Sequence, residues 1–155
     1  MMLQHMMSTP MELRPKLVQL YWREMQRGQW RRFFACLLRR DCRLEMLRRN
    51  AESHAAAARA YVGLKEVPLD AICGTEEQAP AFDRDFHPIG ERPRQRWLSI
   101  AEARLQGKPM PPVQLTEKNG CYYVRDGHHR ISVAHALGEA FIEAEVVRIQ
   151  MGSTR

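Results

Sequence analysis

The residues of this chain best suited to chemistry are Asp126-Gly127-His128-His129-Arg130, where an apolar strand pattern through Tyr122-Tyr123-Val124 breaks and helix-like sequence, Ile131-Ser132-Val133-Ala134, resumes at once. A helix that opens directly after a glycine turn points unpaired backbone N–H groups and the positive end of its dipole outward, a geometry that holds anions. Gly127 lets the backbone approach a phosphate, Arg130 offers a planar fork of donors, and His128 and His129 add ring donors. Asp126 is expected to cap the helix by accepting its free N–H groups. The chemistry points to a phosphate-bearing ligand, a nucleotide before others. The competing reading is a capped and solvated helix start that binds nothing.

Adjacent helix residues do not face the same way, and neither a His-x-x-x-His pair nor paired cysteines accompany the two histidines, so no metal is expected. His135 is read as an ordinary helix residue beside the core. Cys36, Cys42, Cys73 and Cys121 lack zinc-ribbon spacing and are expected to be free, buried thiols.

The elements that must hold this turn are legible in the periodicity. Residues 12–61 read as helix in two parts about Gly28, with Leu13, Leu17, Leu20 and Tyr21 on one apolar face, then Trp30, Phe33, Phe34, Leu37, Leu44 and Leu47. A bend is expected near Asp41, and residues 55–58 offer a close-packing helical surface. Gly63 ends the helical region, and residues 67–72 follow as a short strand or extended edge, where Pro68 is tolerated. Residues 73–93 read as loop, with Phe82 and Phe86 tucked under it and the charges of Asp83, Arg84 and Asp85 facing outward or toward a ligand.

Residues 94–106 form an amphipathic helix with Trp97, Ile100, Ala101 and Leu105 inward and Gly107 as its stop. Residues 113–116 and 121–124 flank Asn119-Gly120, the pair suited to a tight hairpin turn. A helix over 129–137 closes at Gly138, and residues 141–147 form a final strand. The fold class is therefore α+β, a small mixed sheet with helices over residues 63–150, preceded by a basic helical segment (1–62) and followed by a short tail (151–155).

The 155 residues leave room for one domain with a helical appendage, and the net charge of +6 suits nucleic acid, an acidic membrane surface or phosphate ligands. No apolar run approaches the roughly 18 residues of a membrane span, and the Met-rich opening lacks a signal-peptide core. A cytoplasmic protein without a membrane partner is expected.

Met110-Pro111-Pro112-Val113-Gln114-Leu115, then the hairpin, then residues 124–138 with Asp126-Gly127-His128-His129-Arg130, then Ile142-Glu143-Ala144-Glu145-Val146 together resemble the ParB/sulfiredoxin superfamily, over about the second half of the chain. Residues 67–72 sit where that superfamily has its first core strand. Its members include CTP-dependent partition proteins, ATP-dependent sulfiredoxins and a free serine kinase, which place nucleotide phosphates at this glycine turn. Sulfiredoxin-like members carry a reactive cysteine where this chain has His128, and partition proteins carry Gly-Glu-Arg-Arg. The turn here matches the serine kinase type.

The resemblance implies ATP, ADP or CTP with Mg2+ at the turn and a small-molecule phosphotransferase. Such an enzyme needs an upstream carboxylate, for which Glu91 and Asp85 are the candidates and Glu102 a further acid. Many proteins with this domain are labelled ParB-like nucleases, but no carboxylate cluster for metal-assisted cleavage is legible. The alternative reading is a DNA-binding or partition-associated regulator that uses Arg31, Arg32, Arg39, Arg40, Arg43, Arg48 and Arg49. In a third, Tyr21, Trp22, Trp30, Phe33 and Phe34 make the N-terminal helices a homodimer or partner interface.

Overall fold

The computed structural model describes residues 10–38, 45–47 and 58–150. In chain order the elements are α1 (Pro10–Leu37), β1 (Glu45–Met46), β2 (Ala58–Pro68), β3 (Ile72–Thr75), α2 (Arg94–Leu105), β4 (Val113–Lys118), β5 (Cys121–Asp126), α3 (His128–Ala136) and β6 (Phe141–Gln150). Asn119 and Gly120 both take positive φ (53° and 81°) and close the β4–β5 hairpin as their types require. The strands form one mixed sheet in the order β1-β3-β5-β4-β6-β2, so the architecture is α+β. β3 runs parallel to β5, and β4 parallel to β6. The intervening helices α2 and α3 carry the chain back across the sheet.

Two apolar clusters hold this arrangement. The inward residues of the strands, among them Val67, Val113, Leu115, Val124 and Val146, pack with Ile131 and Ala134 of α3. On the helical side, Leu13, Leu17, Tyr21 and Met25 recur every fourth residue along α1 and bury themselves against Trp97, Leu98 and Ala101 of α2 and Val133 of α3. The indole N–H of Trp97 donates to Ser132 Oγ at 2.9 Å, so the largest buried ring brings no unpaired donor into the core. The N-terminal helix is thus part of the same packed body as the sheet.

The structure corrects several sequence expectations. α1 is one helix and continues through Gly28, where its backbone passes so close to the 83–87 loop that a Cβ would lie 2.9 Å from His87 Cβ. Helix does not extend to Tyr61: Glu45–Met46 and residues 58–61 are strand, because pairing with β3 and β6 outweighs local helix propensity. Gly63 (φ 113°) ends no helix but sits at an irregularity in β2, between the pairs made by Tyr61 and Gly63. Residues 67–72 are not one strand; they hold the end of β2, a 3-10 turn (Leu69–Ala71) and the start of β3. Pro68 lies on an edge strand, as a missing N–H demands.

Phe82 and Phe86 are buried as expected, but so is Asp83, whose Oδ1 accepts from the backbone N–H groups of Asp85 and His87. Cys36 is exposed, whereas Cys73 and Cys121 are half-buried, Cys73 with its Sγ 3.5 Å from the Ala71 carbonyl oxygen. Of the five N-terminal aromatics, Tyr21 is in the core and Trp22 lies beneath the Arg94 guanidinium, 5.5 Å away. Trp30, Phe33 and Phe34 stay exposed and contact one another. Asp41, Cys42, Leu44 and residues 55–57 lie outside the described residues. No helix among the described residues is long and apolar enough to cross a membrane.

Candidate functional site

β5 ends at Asp126, Gly127 turns the chain at φ 109°, and α3 starts at once. The first helical hydrogen bond runs from the Ile131 N–H to the Gly127 carbonyl at 3.0 Å, and no side chain caps the N–H groups before it. Asp126 does not take the expected capping role. It stays on the strand, and its carboxylate pairs instead with Arg130 one turn into the helix. The Arg130 fork also donates to the carbonyls of Pro111 and Pro112, and its side chain is only 11% exposed. Its donors therefore tie α3 to the approach of β4.

A cleft of about 280 Å³ opens over this turn. The turn residues form its floor, Arg96 and Ile100 of α2 one wall, and Glu77 to Phe82 of the loop after β3 the other. Arg125 Nε lies 3.5 Å from the buried carboxylate of Glu76, which Arg59 approaches at 3.8 Å from another side. Arg96 is exposed and makes no ion pair among the described residues. Two cations and an uncapped helix N-terminus thus face one small space, with the carboxylates of Glu77 and Asp126 at its margin. A larger cavity of about 350 Å³ lies on the other side of Arg130, between the end of α2 and the approach to β4. Its Arg104 is already paired with Glu139, and no helix begins there, so the smaller cleft is the candidate site.

Both histidines of the turn line the cleft. His128 places Nε2 2.8 Å from the buried Thr75 Oγ1, and its ring lies nearly parallel to Phe82 at 6.4 Å. His129 meets Phe82 edge to face at 5.0 Å. Burial pushes the pKa of His128 down; burial, with the nearby charges of Arg96 and His128, brings His129 down to about 4. His135 lies away from the cleft, as an ordinary residue of α3, with its ring stacked on Phe86 at 5.9 Å, its Nε2 buried without a partner, and its pKa also lowered by burial.

Three histidines that are neutral when folded but titrate near 6.5 when unfolded make stability pH-dependent. Between these values the unfolded chain binds more protons, so this contribution is complete above the unfolded pKa and is lost as pH falls toward the folded one. The thermal unfolding midpoint should therefore fall on going from about pH 7.5 to about pH 5.5, a drop that His129→Gln reduces. Asp83, raised by burial, acts in the opposite sense but from the lower carboxylate range. A midpoint flat across that interval would show that the histidines are not held neutral.

The upstream carboxylates are not brought to the cleft. Asp85 pairs with Arg31 of α1 at 2.7 Å, Glu91 is exposed ahead of α2, and Glu102 faces Arg14 at 3.9 Å. Thr75, Glu77, Arg96 and Arg125 also belong to the site, and no motif marks them. Thr75 pairs with Val124 across the parallel β3–β5 ladder, so the carboxyl ends of both strands arrive together at the turn. That placement follows from strand order and carries no local sequence signal. Among the basic N-terminal residues, Arg31 is engaged with Asp85, while Arg39, Arg40, Arg43, Arg48 and Arg49 lie outside the described residues.

Fold and site define an α+β domain with a cleft, lined by arginines and carboxylates, at an uncapped helix N-terminus. No family model matches the chain, and no curated protein matches it. Among solved structures it is similar to sulfiredoxin from Arabidopsis thaliana, at 22% identity over 57% of this chain and 85% of that chain, with a TM-score of 0.38. A likeness of that extent says nothing about activity, and the cleft is read from its own residues.

Proposed function

We propose that the cleft over Gly127 binds a nucleotide through its phosphates and that the protein is a nucleotide-dependent phosphotransferase acting on a small molecule. The observation that carries this is the uncapped N-terminus of α3 opening between Arg96 and Arg125. Free N–H groups and a helix dipole favour a phosphate there, and the two guanidinium groups add charge-assisted donors. Phe82, Ile100 and Ala81 supply an apolar wall for a sugar or base. The ligand expected is ATP, ADP or CTP with Mg2+, in keeping with the serine kinase-like turn.

Calorimetric titration of the three nucleotides with Mg2+ into the intact chain and into Arg96→Ala tests the reading. Arg96 is exposed and its removal leaves the core intact, so the variant should fold normally and bind about tenfold more weakly, about 1.4 kcal/mol. Equal affinity in both proteins, or none in either, would overturn a phosphate site in this cleft.

A further inference from the structure

Resting on the nucleotide reading of the cleft, we propose that Thr75 locks His128 in the tautomer that carries its proton on Nε2, leaving Nδ1 as the proton acceptor for a hydroxyl co-substrate. The hydrogen bonds around Thr75 carry the assignment. Its Oγ1 has one proton to give and two lone pairs with which to accept. Glu77 O lies 2.7 Å away and Val124 O 3.2 Å away, and carbonyl oxygens can only accept. The Glu77 N–H approaches the same oxygen at 3.3 Å and can only donate.

Only the His128 Nε2 contact, at 2.8 Å, has a direction still to be set. If the hydroxyl gave its single proton to His128, its lone pairs would face the Glu77 carbonyl oxygen at 2.7 Å with no hydrogen between them. If Nε2–H donates instead, Oγ1 gives its proton to Glu77 O and accepts from Glu77 N–H and His128 Nε2–H, while Val124 O, farther off at 3.2 Å, already accepts from the Glu76 N–H at 2.9 Å. Thr75 is 1% exposed and fixed at the end of a strand, so the arrangement cannot rotate away.

The tautomer has a consequence for the cleft. Nδ1 of the neutral ring is then a bare lone pair; it meets no partner among the described residues and is not one of the buried unpartnered atoms. A lone pair repels phosphate oxygens and accepts an O–H. It therefore marks the place of the group to be phosphorylated rather than of the phosphate. In the transfer, the hydroxyl oxygen bonds to the terminal phosphorus as the bond to the bridging oxygen breaks. That electron pair leaves on the nucleoside diphosphate, and the hydroxyl proton passes to Nδ1. The imidazolium loses the proton to solvent when products depart. Thr75 is a positioning residue, and His128, which lines the cleft, takes the part for which Glu91 and Asp85 were candidates, neither of which lines it.

Two-bond 15N–1H correlation spectra of the histidine-labelled full chain read the tautomer without a ligand. The wild type and Thr75→Ser should show His128 protonated on Nε2 and bare at Nδ1, whereas Thr75→Val should show a mixture or the reverse. A proton on Nδ1 in the wild type would overturn the proposal. With water as the acceptor, ADP release from Mg-ATP should fall at least about 100-fold in His128→Gln while calorimetric binding of Mg-ATP persists. Unchanged release in His128→Gln, or none from a wild type that binds the nucleotide, also overturns the base role. If no nucleotide binds to the wild type, the phosphate reading fails instead, and the spectra still decide the tautomer independently.

Discussion

Gly127→Ala is expected to lower the unfolding free energy by about 3 kcal/mol or more, a large fraction of the roughly 5–15 kcal/mol by which a domain is ordinarily stable. Two costs coincide at this position. Its φ of 109° is a backbone conformation that side chains rarely adopt, and a Cβ placed there would lie 2.6 Å from Val113 Cγ1 and 2.9 Å from Val113 Cβ. Val113 is 1% exposed at the start of β4, in the cluster that α3 caps, so it has nowhere to move. Gly138 gives the comparison, since its φ is also positive (73°) but a Cβ there would meet nothing within 4 Å. Gly138→Ala should therefore show only the backbone cost of roughly 1–2 kcal/mol. Urea unfolding of both variants, followed by tryptophan fluorescence, separates the two contributions. Equal losses would mean that α3 can lift off β4 freely, and the close turn would then be no fixed part of the site.

The contrast between these glycines shows what could be read in the sequence. Gly107, Gly138 and the Asn119-Gly120 pair announce themselves locally, because a helix stop or a two-residue hairpin needs positive φ whatever surrounds it. The hairpin, α2, α3 and β6 were accordingly legible, and so was the turn at residues 126–130. Gly28 reads locally as a helix boundary, but its reason is tertiary: α1 tolerates it, at about 1 kcal/mol relative to alanine, to bring its backbone against His87 and Asp83. Strand at residues 58–61 was hidden in the same way, since only pairing with β6 selects it.

The site divides along the same line. Asp126 to Arg130 come from one contiguous segment whose composition signals anion chemistry. Thr75 and Glu77 reach the cleft because β3 lies next to β5, and Arg96 because α2 packs on α3. Neither neighbour relation is encoded in a motif. Asp85 and Glu91 are candidates only because a kinase with a turn of this type needs an upstream carboxylate, but Asp85 is drawn to Arg31 on α1 and Glu91 does not line the cleft.

Arg130 is where the two levels disagree most, and its substitution decides between them. Read in sequence, the guanidinium faces a phosphate; Arg130→Ala would then abolish nucleotide binding and leave the unfolding midpoint unchanged. In the structure its fork holds the carbonyls of Pro111 and Pro112 and the Asp126 carboxylate, so removal strips charge-assisted partners from a largely buried position. The loss should be about 2–4 kcal/mol in ligand-free urea unfolding, and Arg130→Lys should recover little of it, because a point charge on a flexible stem cannot hold all three acceptors as the fork does. The Asp126 partner contributes least, since its side chain is 60% exposed; Asp126→Ala should cost under about 1 kcal/mol. Nucleotide affinity should fall in Arg130→Ala as well, but as a consequence of a loosened turn. A ligand-free Arg130→Ala protein as stable as the wild type, yet unable to bind, would return Arg130 to the phosphates and leave the turn to be held by Gly127 and Val113 alone.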